Sequence, residues 1–493
     1  MSQNRKNLKL LLILALLALF SCKREQSMTT KWEYNNPKNG GFDVQPFIEQ
    51  ETGPGLVLIE GGTFIMGRTE QEIEYNWDNI PRRVTVASFY MDQTEIRNLD
   101  YLEYLYWVHR VFGTDYPEVY KKALPDTLVW REKLAYNEPW VLYYFRHPAY
   151  REYPVVGVSW TKAANYCQWR TDRVNEYILV REGILKMDPN QSNEENFNTD
   201  AYLAGQYEGM VKNDLVDLNP TGTGTRKVKM EDGIILPNYR LPTEAEWEFA
   251  ALGLIGNTLF ERVIERRIYP WNGHVMRTDA KHNLGDFVAN FKRGRGDYMG
   301  VAGNLNDAGC PTTPVFAYWP NDYGLYGMGG NVSEWVLDVY RPLSFEDVSD
   351  LNPYRGNVFK TQKRDPEGNI EAKDSLGRII WDTVSIADNL KRRNYRYADN
   401  RDYLDGDLQS SIYYAETKNK NEWMYMSDEV LGQRLSTLID NNSMVFKGGS
   451  WRDLSYWVSP GTRRFLDKDQ ATDYIGFRCA MTRVGSPIGN GKK

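Results

Sequence analysis

Histidine and cysteine are scarce, with four of each in 493 residues. His109, His147, His274 and His282 are scattered, and no HExxH pattern occurs, which removes the commonest zinc-hydrolase arrangement. Cys22, Cys167, Cys310 and Cys479 follow no zinc-site spacing and are too few for a disulfide-built scaffold. A basic excess is also missing: 60 Lys and Arg stand against 66 Asp and Glu, a net charge of −6. That excludes the electrostatic footprint of a nucleic-acid binder. The short run Lys292-Arg293-Gly294-Arg295 reads as a solvated loop. No internal repeat is present. The chain has one long apolar run, Leu10 to Phe20, shorter than the ~20 residues a membrane-spanning helix needs.

That run has a different meaning in context. Arg5, Lys6 and Lys9 precede it as a basic n-region, and Leu19-Phe20-Ser21-Cys22 follows as a bacterial lipoprotein processing box. Cleavage of residues 1–21 would leave Cys22 as the first residue, carrying the acyl chains, palmitate among them. Several chains on one cysteine give firm anchoring at ~0.8 kcal/mol per buried methylene. The same cleavage removes three positive charges and no acid, taking the net charge from −6 to −9. Lys23 follows the cysteine, with no aspartate there to signal inner-membrane retention, so the expected location is the outer membrane. With Cys22 acylated, three cysteines remain, and an exported compartment permits one disulfide plus one free thiol.

Length allows two or three domains. Residues 22–54 are polar and rich in Asn, Gly and Pro, and read as a tether. GLVLIEGGTFIMG (55–67) reads as two short strands joined by a tight turn, and RRVTVASFYMDQTEI (82–96) as another strand pair. Residues 97–112 carry apolar residues at helical spacing. YPVVGVSW (153–160) reads as a buried strand, followed by a helix with Thr161 as N-cap. RLPTEAEWEFAALG (240–253) carries the clearest local signal: Thr243 and Glu246 form a capping box, and Gly253 ends the helix. Helical periodicity then fades into glycine, asparagine and aromatics. Two polar stretches, about 186–236 and 345–442, read as insertions, and 486–493 as a tail.

The blocks LIEGGTFIMG, SFYMDQTEI, YPVVGVSW, AANYCQW, RLPTEAEWEFAA, NDYGLYGMGGNVSEWV, FKGGSW and IGFRCA occur in this order between residues 55 and 485. Together they resemble the sulfatase-modifying-factor family, whose fold is that of the formylglycine-generating enzyme. The resemblance implies an α+β, C-type-lectin-like fold with short strands, few helices and long ordered loops. It also implies a pair of copper(I)-binding cysteines between GGS and GFRC, since soft thiolates select that ion. The corresponding stretch, 451–475, contains no cysteine; Ser455, Trp457, Gly461 and Thr462 stand roughly where the pair would fall. The expectation is a pseudoenzyme without copper, with 448–464 a structural corner and Arg463 and Arg464 paired to acids. A pocket repurposed for another ligand is the rival reading of this stretch.

The resemblance further implies a Cys167–Cys479 disulfide, leaving Cys310 free. Such a bridge would close a loop of about 310 residues, near the upper end of the ~2–5 kcal/mol range. It implies structural calcium as well. One site would use the carbonyls of Gly327, Gly330 and Val332 with the Glu334 carboxylate. A second would use the carbonyls of Asn290, Phe291 and Gly309 with the Asp307 carboxylate.

The segments ALPDTLVW, RHPAYREYPVVGVSW, QWRTDRVNE and ATDYIGFRCAMTRVGS resemble more narrowly the gliding-motility lipoproteins of the Bacteroidetes, of GldJ type, with GldK (PorK) as sister type. That resemblance implies an outer-membrane lipoprotein facing the periplasm, a structural part of the type IX secretion and gliding machinery. Expected partners are subunits of the GldK (PorK) and GldN (PorN) kind in a homo- and hetero-oligomeric ring. The alternatives are a glycan- or peptide-binding lipoprotein and a copper-dependent oxidase.

Overall fold

The computed structural model describes residues 25–68, 79–264, 267–271, 274–293, 311–341, 350–356, 358, 360–384 and 442–485. Cys22, Asp307, Gly309 and Cys310 lie outside the described residues, as do the leader, the tail and most of the second insertion. The chain divides into two compact units.

The larger unit comprises 49–178, 188–209 and the chain from 236 onward. The strands Leu56–Ile59 and Gly62–Met66 form as expected, but they do not pair with each other. Leu56–Ile59 pairs with Phe89–Asp92, while Gly62–Met66 pairs with Arg82–Val86. The two-residue links are therefore crossovers between sheets rather than hairpin turns. Gly61 sits where an added Cβ would stand 2.2 Å from the Val86 carbonyl oxygen, so only glycine lets the two crossovers stack.

Two four-stranded sheets result. The first has the order Leu56–Ile59, Phe89–Asp92, Ala480–Thr482, Tyr239–Arg240. The second has the order Arg464–Asp467, Ser443–Lys447, Ser333–Val339, Ile475–Phe477, and its last pair is parallel. The helix Glu244–Leu252 shares one apolar core with strands from both sheets, including Phe64, Met91, Trp247, Phe249, Val336, Val445 and Ala480. Each large side chain buried this way contributes about 1.5–3 kcal/mol. The architecture is mixed α+β, with short strands and few helices.

Local signals hold where they are truly local. The Thr243 hydroxyl accepts from the Glu246 N–H at 3.1 Å, Glu246 accepts from the Thr243 N–H at 2.9 Å, and Gly253 ends the helix at φ 57°. The helix Asn98–Phe112 forms as expected. Residues 153–160 are buried but are not a strand. Gly157 takes φ 75°, and the segment hydrogen-bonds piecemeal: Val155 N–H donates to Ile96 and Gly157 N–H to Thr472. The next helix, Trp160–Arg181, starts two residues earlier than a Thr161 N-cap places it. Thr161 is thus inside the first turn, and its hydroxyl donates to Asp469 at 2.8 Å.

The smaller unit gathers residues 25–48, 179–187 and 210–235. The segment read as a tether is therefore folded from Glu25 on. Arg226 makes the join, donating to both Asp232 oxygens at 2.7 Å and to Asp43 at 2.6 Å. Gly41, at φ 72°, lies so close to the Leu218 carbonyl that any side chain would collide with it. Arg226→Ala would leave the buried Asp232 carboxylate without its counter-ion, costing ~1.5–3 kcal/mol locally. Limited proteolysis should then cut within 25–48 well before the rest of the chain; an unchanged digestion pattern would show that Arg226 does not hold the segment.

Candidate functional site

The corner 448–464 is built as a closed structure. Gly448 and Gly449 turn the chain at φ 96° and 65°, and a Cβ on Gly449 would stand 2.8 Å from the Trp457 carbonyl. Trp451 is buried, stacks on Trp130 at 6.2 Å, and donates its indole N–H to the Asp473 carbonyl. Ser455 and Trp457 fall in the single turn Ser455–Val458, whose Val458 is fully buried. The Thr462 hydroxyl lies 2.7 Å from the Ser459 carbonyl and 3.0 Å from that of Trp457, tying the turn to the next strand. Gly461 packs against the Gly67 backbone. None of these side chains is a base or a thiol aimed at open space.

The two arginines pair with acids, as expected from sequence, and diverge in doing so. Arg464 makes a bidentate pair with Asp453 at 2.6 and 2.7 Å. Arg463 makes another with Glu244 at 2.9 and 2.8 Å and donates to the Arg341 carbonyl. Glu244 is the hub of a buried network that sequence reasoning missed. Lys447, wholly buried, reaches Glu248 at 2.8 Å and Glu244 at 3.3 Å. Asp338 accepts from the Glu244 N–H at 2.7 Å. Burial opposes the Glu244 charge, but Arg463 and then Lys447 hold its carboxyl below the ordinary value. At Asp338, burial and then repulsion by Glu244 outweigh its backbone donors and Arg463 and push it up to about 7. The one signal in the sequence was a helix with glutamates at 244, 246 and 248 and no polar face to put them on.

A second network lies under GMGGNVSEW. Glu334, fully buried, takes Arg478 Nε on Oε2 and Nη2 on Oε1, both at 2.6 Å, and the Trp247 indole N–H on Oε2 at 2.8 Å. The residue expected to be an anionic calcium ligand is thus the counter-ion of a buried guanidinium, with both oxygens engaged. Gly330 and Asn331 meet the other expected loop, where the Asn290 carbonyl accepts the Asn331 N–H at 2.8 Å. Val332 and Phe291 are buried in apolar clusters. Gly327 leaves room for Glu95, since a Cβ there would stand 2.4 Å from a carboxylate oxygen. These residues do not fit a calcium cage on the Glu334 carboxylate, and no group of three acidic, His or Cys side chains among the described residues could hold a metal. Glu95 accepts from Asn331 at 3.1 Å on one oxygen, and its other oxygen has no partner. Burial pushes its carboxyl up to about 7, with Glu334 adding to the shift against Arg478.

Cys167 and Cys479 are brought together, both buried, with their sulfurs 3.4 Å apart. The structure thus brings the two cysteines that the resemblance pairs face to face, 312 positions apart in sequence. Burial, and then its Cys167 partner, raises the Cys479 thiol well above its usual range, which disfavours thiolate chemistry. Two clefts open in this unit. One of about 380 Å³ is lined by Pro270, Trp271, Val288, Trp319 and Met328 among others. The other, of about 450 Å³, is lined by Arg97, Glu103, Tyr166, Trp169 and Tyr177 among others.

Two predictions follow from these networks. Glu334→Ala should cost ~3–5 kcal/mol, because it strands Arg478 unpaired in the core. Denaturant melts should show that loss equally with and without a calcium chelator; a loss seen only in calcium would return Glu334 to the role of metal ligand. The second concerns pH. Folded Glu95 and Asp338 take up protons near pH 7, whereas unfolded carboxyls do so near ~4. Between these values the folded state holds protons the unfolded state lacks, so stability is lost as pH rises through about 7. The melting temperature should be higher at pH 5.5 than at pH 8, and Glu95→Gln should flatten part of that slope. A melting temperature that climbs with pH would contradict the assignment.

Comparison with known proteins adds the lineage. Residues 43–381 match the family described as FGE-sulfatase, the sulfatase-modifying factor enzyme 1-like domain. The chain is 26% identical over 306 residues to the formylglycine-generating enzyme of Mus musculus, covering 57% of this chain and 58% of that protein. It is 25% identical over 321 residues to the inactive C-alpha-formylglycine-generating enzyme 2 of the same species, covering 62% and 73%. The chain thus spans less than two thirds of the length of the mouse enzyme, and it resembles active and inactive relatives alike. Among solved structures, PvdO from Pseudomonas aeruginosa aligns with a TM-score of 0.41 at 15% identity, over 87% of this chain and 94% of that one. With a family match across 43–381, the chain belongs to the FGE-sulfatase family of sulfatase-modifying factor enzyme 1-like domains.

Proposed function

We propose that this protein is a non-catalytic lipoprotein of GldJ type, anchored in the outer membrane through acylated Cys22 with its domain facing the periplasm. In this reading its fold is the C-type-lectin-like form of the family, and its role is structural, within the type IX secretion and gliding machinery. The observation that carries the non-catalytic reading is the corner itself. Residues 451–475 hold no cysteine, and the space is taken by Val458, Thr462 and two arginine–carboxylate pairs. Copper(I) needs thiolates that this stretch cannot offer. Partners of GldK (PorK) and GldN (PorN) kind fit a large assembly. Among the described residues no helix is long and apolar enough to cross a membrane, which is compatible with a lipid anchor. The aromatic-lined cleft beside Trp169 keeps a glycan- or peptide-binding role as the second reading.

The native particle tests the proposal. Extracted from its own membranes in mild detergent, the protein should sediment as a ring-shaped megadalton particle with co-purifying subunits. It should also retain no stoichiometric copper(I). A monodisperse monomer would defeat the scaffold reading, and tight copper binding would revive the oxidase.

A further inference from the structure

The smaller unit begins with a hairpin that its own core does not explain. Gln26 bridges Glu33 in antiparallel fashion, and Tyr34 N–H donates to Glu25 and Ser27 N–H to Trp32. The Ser27 hydroxyl accepts from the N–H groups of Thr29 and Thr30, and Lys31 closes the turn at φ 64°. The base is pinned by Asn35, whose side chain exchanges hydrogen bonds with the Val44 backbone at 2.9 and 2.7 Å, and by Tyr34 packing on Phe42. A well-tied turn would ordinarily carry polar residues at its tip. This one carries Met28, 91% exposed, and Trp32, 60% exposed. Both are large apolar groups held out in solvent by an ordered backbone.

Two further features point to what they meet. Charge is the first. Lys23, Arg24, Lys31 and Lys38 against Glu25 and Glu33 leave residues 23–38 net positive, in a chain that is net negative. Such a patch attracts an anionic surface at ~1 kcal/mol per basic residue near it. Position is the second. Glu25 follows Cys22 by three residues, so Met28 lies within ~20 Å of chain from that cysteine at full extension. A headgroup layer is ~5–8 Å thick. Tryptophan settles at that level, with its ring apolar and its N–H wet.

We infer that the 25–34 hairpin is a second membrane contact, laying Met28 and Trp32 into the headgroup layer of an anionic bilayer beside the acyl anchor. The inference rests on the lipoprotein reading for its geometry. Acyl chains on a single cysteine leave a protein free to swivel on that attachment; a hairpin set three residues away fixes how the smaller unit faces the lipid. Lys31 supplies the attraction to phosphate, and the two apolar side chains supply the depth.

Hydroxyl-radical footprinting read by mass spectrometry tests this on the acylated full-length mature protein in phosphatidylethanolamine–phosphatidylglycerol vesicles. Methionine and tryptophan are both reactive probes. Modification of Met28 and Trp32 should fall at least threefold relative to the Cys22→Ser protein in solution. Met187 and Met230, exposed in the same unit, should change little. Lys31→Glu with Trp32→Ser should abolish the protection of Met28 without lowering the melting temperature. Equal modification of Met28 in vesicles and in solution would overturn the proposal. Protection found in native membranes but not in pure lipid would overturn it too, assigning the hairpin to a protein partner. The mass of the Cys22 peptide reports acylation separately. If Cys22 carries no lipid, the lipoprotein reading fails, and vesicle sedimentation of that unacylated chain decides the hairpin: lipid binding lost in Lys31→Glu keeps it, and no binding ends it.

Discussion

The buried pair Arg478–Glu334 is the constraint on which the rest of the larger unit turns. Both side chains are wholly removed from solvent. Arg478 spends its remaining donors on the Asp92 and Tyr326 carbonyls, and Glu334 takes the Trp247 indole. One ion pair therefore binds the first sheet, the second sheet, the central helix and the glycine-rich loop. Desolvating two charges is costly, and the attraction offsets it only when geometry and extra hydrogen bonds are both good. Here both are, and every partner is backbone or a neutral ring held by the core. The pair contributes less to net stability than to uniqueness, because any other register of the strand Ser333–Val339 would leave a naked charge inside.

The Glu244 hub obeys the same logic with a different outcome. Five groups, Glu244, Glu248, Lys447, Arg463 and Asp338, crowd the start of the Glu244–Leu252 helix. Carboxylates at a helix N-terminus are favoured by the backbone dipole. Yet Asp338 gains only backbone donors, from Glu244 and Arg355, and its neighbour repels it. Glu95 stands in the same position beside Glu334. The core thus contains carboxyls pushed up by burial, Asp338 and Glu95 among them, each beside another buried carboxylate. Their shared upward shift makes the fold more stable in mild acid than above pH 7.

What the sequence disclosed follows from the range of each interaction. The Thr243–Glu246 capping box spans three residues and was legible. So was the need of Arg463 and Arg464 for acids, though not which acids, since Glu244 lies more than two hundred residues away. Strand identity at 56–66 and 82–92 was legible, but the pairing was not: alternation marks a strand and leaves its partner open. Residues 153–160 misled because an apolar run signals burial, and Gly157 decides conformation. Glu334 was read as a ligand because the family resemblance implies calcium there; the guanidinium that pairs with it is far off in sequence, at 478. The 22–54 segment read as a tether on composition, and no local pattern announces that Arg226 pairs with Asp43.

The stretch 451–475, which holds no cysteine, is closed by its own packing. The Gly449 backbone abuts Trp457 and Val458 at a distance that admits no side chain, and Thr462 ties the same turn back from the far side. Val458 fills a cluster with Tyr269, Ala289 and Phe291. A side chain at Thr462 enters this packing as a small buried group, while Ser455 is half-buried. Arg463 and Arg464 fix the exit of the corner on opposite networks, one to Glu244 and one to Asp453. Displacing either to admit a metal would strand a carboxylate, and at Glu244 that carboxylate is wholly buried. The corner is therefore locked by the same kind of interaction that holds the core: charge pairs whose partners are too costly to expose one at a time.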